Sequence, residues 1–130
     1  MLYLKVGFSY DSVVNYYLGS EQGFRPPKSY LGLLEESHFH LFSMAIILVT
    51  LNHLLLFANV NSVFKFGLIL VSYLSALGDI GGGWLVRYVS PSFAYLKIGS
   101  VVALQASLLL LIIVVWWFLY TKNNNNERAT

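Results

Sequence analysis

Three long apolar runs stand out along the chain, at Leu41 to Ala58, Phe66 to Val86 and Val101 to Tyr120. Each comes close to the ~20 residues that a helix rising ~1.5 Å per residue needs to cross ~30 Å of hydrocarbon, so each can span a bilayer. The connections, Asn59 to Ser62 and Tyr88 to Ser92, are short and carry turn chemistry in their Asn-Val-Asn-Ser and Ser-Pro-Ser sequences, which makes neighbouring spans antiparallel. Trp116, Trp117 and Tyr120 close the third run, and Tyr88, Phe93 and Tyr95 mark its other end, as interfacial aromatic belts do. The expected fold is all-α, an integral membrane protein of three antiparallel transmembrane helices.

The remainder of the chain divides around that core. Residues 1–33 read as an interfacial N-terminal segment, 34–121 as the transmembrane domain and 122–130, with four consecutive Asn, as a disordered tail. Met1 to Ser20 mixes aromatic and polar residues and lacks the continuous apolar core and cleavage site of a signal peptide. Within it, Tyr10 to Leu18 predicts a short interfacial helix, and Pro26-Pro27 imposes an extended approach to the membrane. Ser29 is placed to cap the first long helix, whose early turns hold Glu35 and Glu36 near the positive end of its dipole.

Composition supports the membrane reading. Of 130 residues, 57% are hydrophobic and 11% charged, against about 25% charged in a soluble domain. The net charge of +2 is thinly spread, which excludes the concentrated basic face a nucleic-acid partner requires. With no cysteine, disulfides, thiolate metal sites and covalent haem attachment are excluded as well. Lys5, Arg25, Lys28, Arg87 and Lys97 fall on the N-terminal side of the membrane and Lys65, Lys122 and Arg128 on the other, a bias toward a cytoplasmic N-terminal side.

Candidate chemistry concentrates on the first long helix, which carries all three histidines, His38, His40 and His53. At ~100° per residue, Glu36 and His40 share one face, while Glu35, His38, Asn52 and His53 lie close together on nearly the opposite one. A helix with two polar faces needs protein on both sides, which points to another integral membrane subunit or a homodimer. Asp79 falls at about the depth of Phe42, within a turn of His40, if the hairpin turns near Val60 and Asn61. Beside it, Gly81-Gly82-Gly83 permits either close backbone approach or local unwinding. Lys97 is expected to snorkel and Gln105 to hydrogen-bond a neighbouring helix.

Two spacings suggest cofactors. His38 and His53 lie 15 residues apart, on one face and about 22 Å apart along the helix. This resembles the ligand pairing on a helix of the cytochrome b family, so His38, His40 and His53 are candidate haem b ligands, with the missing ligands supplied by a symmetric dimer or a partner chain. Glu35, His38, His40 and Asp79 offer the oxygen and imidazole mix of a divalent metal site, although a di-metal site would need paired motifs from two helices.

From Leu2 to Tyr120 the chain resembles a family of small polytopic bacterial inner-membrane proteins. The resemblance is carried by Tyr16-Tyr17-Leu18-Gly19-Ser20-Glu21, Pro27-Lys28-Ser29, Leu34-Glu35-Glu36-Ser37-His38-Phe39-His40-Leu41-Phe42-Ser43-Met44 with its Glu-x-x-His-x-His-x-Phe core, His53-Leu54, and Asp79 with Trp84-Leu85-Val86-Arg87. It implies a multi-pass protein of the bacterial inner membrane but no particular chemistry. It also implies an apolar helix ahead of the segment at Leu2 to Gly7, which would make four spans and put Tyr16 to Ser29 in the periplasm, against the charge bias.

The leading expectation is therefore a small accessory or anchoring subunit of a larger bacterial electron-transfer complex, in contact with lipid and other membrane subunits. A b-type haem- or metal-binding electron carrier is the second, and a proton pathway element through Asp79 and His40 the third. Catalysis on a soluble substrate ranks last, because no nucleophile paired with a base, phosphate loop or complete metal motif is visible.

Overall fold

A computed structural model describes residues 9–21 and 24–127, with side chains described as far as Lys122. The segment at Leu2 to Gly7, any helix ahead of it, and residues 128–130 lie outside the described residues. Among the described residues, four α-helices follow in order: α1 (Tyr10–Leu18), α2 (Tyr30–Phe57), α3 (Ser62–Tyr88) and α4 (Ala94–Glu127), with a 3-10 turn at Pro91–Phe93 ahead of α4. Three of them, α2, α3 and α4, are long and apolar enough to cross a membrane, and their short connections make them antiparallel. The chain is a multi-pass membrane protein with one shorter helix, α1, at its N-terminal end.

Local chemistry sets the helix ends. Ser9 caps α1 by accepting from the Ser12 amide, and Asp11 sits in its first turn, where a negative charge meets the positive end of the dipole. Gly19 ends α1 at φ 86, and a Cβ there would lie 2.6 Å from the Arg25 carbonyl oxygen, so only glycine fits. The Ser29 hydroxyl accepts from Gly32 N at 3.1 Å and starts α2, as its position before the apolar pattern predicts. Asn61 does the same for α3, accepting from Val63 N at 2.8 Å.

The long helices extend beyond the apolar runs within them. α2 begins at Tyr30, eleven positions ahead of Leu41, and α4 continues to Glu127. The helix carries through the Asn run to residue 127, since once a helix has nucleated, adding a residue costs little even where the sequence is polar.

The core sits between α2, α3 and α4. On α4, Ser100, Leu104, Ser107, Leu111 and Val115 are buried, and on α3, Leu68, Ser72, Ser75, Ala76, Asp79, Gly82, Gly83 and Val86, both at the three- and four-residue spacing of a helix face. Leu48, Leu55 and Ala58 close the layer from α2. Small residues on α3 let the neighbouring backbones approach, the packing device available where lipid supplies no hydrophobic drive between helices. Phe39, Phe42, Leu74, Leu77, Leu109 and Ile113 face outward, as lipid-facing residues do.

Aromatic belts mark both ends. Trp116 and Tyr120 stack at 5.7 Å near one end, while Trp84 stacks on Tyr88 and meets the Tyr30 ring edge-on near the other. Helix α1 folds onto that second end, burying Val13 and Tyr17 with Leu33, Val86 and Ala94 in a separate apolar cluster.

Candidate functional site

The site lies where α1 meets the three spans. Asp79, 2% exposed, is on the inward face of α3. Its carboxylate is paired with the Lys97 ammonium from α4, which also donates to the Asp79 carbonyl oxygen at 2.6 Å. Lys97 does not snorkel. Its head goes down into the bundle, because a carboxylate placed in hydrocarbon is a stronger partner than the headgroup layer would be for the ammonium.

The glycine run makes the pairing sterically possible. A Cβ on Gly82 would stand 3.1 Å from the Lys97 Cα, and one on Gly83 would stand 3.0 Å from the Tyr17 hydroxyl oxygen and 3.1 Å from its ring. Gly82 thus brings the α4 backbone against α3, and Gly83 seats Tyr17. Of the two sequence readings of this run, close approach holds, and α3 remains helical through residues 81–83.

A narrow cleft opens above the ion pair, lined by Tyr17, Leu33, Glu36, Ser37, His40, Asp79, Ile80, Gly83 and Lys97. The volume open to water centres is about 10 Å³, enough for about one molecule. His40 and Asp79 share this cleft, and Glu36 stands with them. Toward the surface, Glu36 is ion-paired to Lys28 at 2.7 Å, and Lys28 also donates to the Tyr16 hydroxyl. Burial alone would pull the Lys28 ammonium down, but the hydrogen bonds to Glu36 and Tyr16 and their charges outweigh it and raise its pKa above the ordinary 10.5. Arg87 Nε donates to the Lys28 carbonyl at 3.0 Å and Trp84 Nε1 to the Ser37 hydroxyl at 2.7 Å, which ties the start of α2 to the end of α3.

The other sequence candidates lie elsewhere. Glu35, His38 and His53 are exposed on the outer side of α2, with the His53 ring edge-on to Phe57 at 5.3 Å. Among the described residues, no three His, Cys, Asp or Glu side chains come together in a way that could hold a metal ion; Glu35 and His38 face away from the cleft that His40 and Asp79 share. Asn52 does not belong with the outward group. It is buried and donates to the Ser72 hydroxyl at 3.2 Å, while its Oδ1 has no partner. Gln105 is exposed.

Sequence reasoning missed Lys97, Lys28, Tyr16 and Tyr17 as members of the site. One signal was available for Lys97: it and Asp79 are opposite charges on consecutive antiparallel spans, joined by a short turn. Tyr17 carried no such signal, since its place depends on α1 folding back.

No curated protein and no solved structure is significantly similar to the chain. The model of one family matches residues 7–126, nearly the whole length. The chain therefore belongs to the Aq_1264_TM family, a transmembrane helical domain.

Proposed function

We propose that this protein is a small accessory or anchoring subunit of a larger assembly in a bacterial inner membrane, of the electron-transfer kind. The observation that carries the reading is the outward polar stripe of α2. Glu35, His38 and His53 are exposed on a helix whose other outward residues include Phe39, Phe42, Ile46, Val49 and Leu56. Ionisable residues within membrane helices ordinarily face protein or water rather than lipid, so this stripe fits a docking line for a partner helix. The narrowness of the inner cleft agrees with a structural role, since a substrate pocket is typically ~300 Å³ or more.

Photo-crosslinking in native membranes tests it. A photoreactive residue at His53 or Glu35 should yield adducts with another integral membrane protein, and one at Leu109 should yield lipid adducts. Lipid adducts alone at all three positions would refute the subunit reading.

The same stripe favours a second reading. His38 and His53 both lie on it, and their separation of about 22 Å along the helix suits two stacked b-type haems if a second copy or a partner helix supplies the opposing ligands. Reduced-minus-oxidised spectra of the gently purified protein would show b-type bands, which His38→Ala or His53→Ala would diminish. A colourless, metal-free preparation that stays with large redox subunits supports the first reading over the second.

A further inference from the structure

The end of the bundle away from α1 differs from the other in charge and in shape. Among the described side chains it carries Lys65, in the first turn of α3, and Lys122 of α4, whereas Asp11, Glu21, Glu35, Glu36 and Asp79 all lie toward the α1 end. Lys65 donates to the Leu56 carbonyl at 2.9 Å, which holds its ammonium beside the turn that joins α2 to α3. Between that turn and α4 runs an open groove of about 350 Å³, within the ~300–1,000 Å³ that ligand sites occupy. Ile113 and Val114 make its deeper wall apolar, while Asn59, Trp117 and Thr121 stand at its mouth. The Thr121 hydroxyl donates to the Trp117 carbonyl. The Asn59 amide and the Trp117 indole N–H have no hydrogen bond among the described residues and are free to donate.

We propose that this groove seats an anionic glycerophospholipid of the leaflet at that end. Its acyl chain lies along Ile113 and Val114, its ester and phosphate oxygens accept from Asn59 and Trp117, and its negative charge faces Lys65 and Lys122. The groove is graded as such a molecule is, apolar in depth, hydrogen-bonding at the mouth and positive outside. A zwitterionic lipid would leave the two lysines without a net counter-charge. A spanning partner helix fits less well, because the α4 part of the wall, Ile113 to Thr121, covers about 12 Å of rise, whereas a helix contact would run through most of the ~30 Å of hydrocarbon. The inference is independent of the subunit reading, since the polar stripe of α2 takes no part in it.

The chain has three tryptophans, so the full-length protein carrying Trp84→Phe and Trp116→Phe reports from Trp117 alone. It is reconstituted in phosphatidylcholine vesicles in which a minor share of the lipid, either phosphatidylglycerol or phosphatidylcholine, is brominated high on its acyl chains. Brominated phosphatidylglycerol should quench Trp117 with a saturating curve, and brominated phosphatidylcholine only in proportion to its share of the bilayer. Lys65→Gln and Lys122→Gln should each weaken the phosphatidylglycerol association about fivefold, the effect of one lysine at an anionic surface, and Arg at both positions should preserve it. Lys122→Gln breaks no hydrogen bond among the described residues, so it decides the matter if Lys65→Gln disturbs the turn. A photoreactive residue at Ile113 in native membranes should yield adducts with anionic phospholipid. Equal quenching by the two lipids, a preference that survives Lys122→Gln with the helical circular dichroism intact, or protein adducts at Ile113 would each overturn the proposal.

Discussion

Lys97→Met is the most informative single change, because it removes the charge partner of a carboxylate that is 2% exposed as a residue. Met keeps the length and most of the volume of the lysine stem, so packing against Gly82 persists and the loss is largely electrostatic. Asp79 is then left with two options. It stays charged without its ammonium, a loss of one partner from a buried pair that costs about 3–5 kcal/mol, or it takes up a proton. Water entering the cleft eases the charged form and puts the expectation near the lower bound, about 3 kcal/mol.

Reversible unfolding in mixed micelles, followed by circular dichroism, measures that difference. The decisive comparison is with the double variant Lys97→Met with Asp79→Asn. Removing the orphaned charge should recover about 2 kcal/mol relative to Lys97→Met alone, because a neutral pair avoids the penalty that a lone buried charge carries. A deficit below about 1 kcal/mol, or a double variant as unstable as the sum of the two single changes, would refute the claim that the pair is buried and coupled.

Three further outcomes follow from the same geometry. Gly82→Ala forces a methyl group to within 3.1 Å of the Lys97 Cα and should destabilise by about 1–3 kcal/mol, whereas Gly81→Ala meets nothing within 4 Å and should be neutral or stabilising by up to about 1 kcal/mol; thermal denaturation in detergent ranks the two, and the reverse order would disprove the close approach. Ser37→Ala deletes the acceptor of the Trp84 indole N–H and should cost about 0.5–1.5 kcal/mol, with a shift in Trp84 emission when Trp116 and Trp117 are replaced by Phe. Lys28 has its pKa raised in the folded protein, so its clamp on Glu36 and Tyr16 contributes fully below the unfolded lysine value and is lost as pH rises through the folded one. A stability scan should fall at strongly alkaline pH in the wild type and fall less in Lys28→Gln; matching alkaline limbs would exclude the clamp.

How much of this was legible follows from what hydropathy measures. It reads position along the membrane normal, so the three spans, the aromatic belts, the cap at Ser29, the short helix at Tyr10–Leu18 and the shared level of His40 and Asp79 all follow from residue order. Rotation about each helix axis is a different quantity, fixed by which side chains interlock. Wheel geometry put Asn52 with His38 and His53, but Asn52 lies at the margin of the buried Leu48 and Leu55 face and Ser72 opposite it decides the matter. Lys97 was misjudged for a related reason: its level is near the headgroups, and only the missing side chain at Gly82 shows that α4 comes close enough for the ammonium to turn inward. That turn bears on orientation. With Lys97 neutralised inside the bundle, the basic residues left on the N-terminal side are Lys5, Arg25, Lys28 and Arg87, against Lys65, Lys122 and Arg128 on the other. Lys28 is itself paired with Glu36. The charge bias for a cytoplasmic N-terminal side therefore rested in part on a lysine whose ammonium turns into the bundle to meet Asp79.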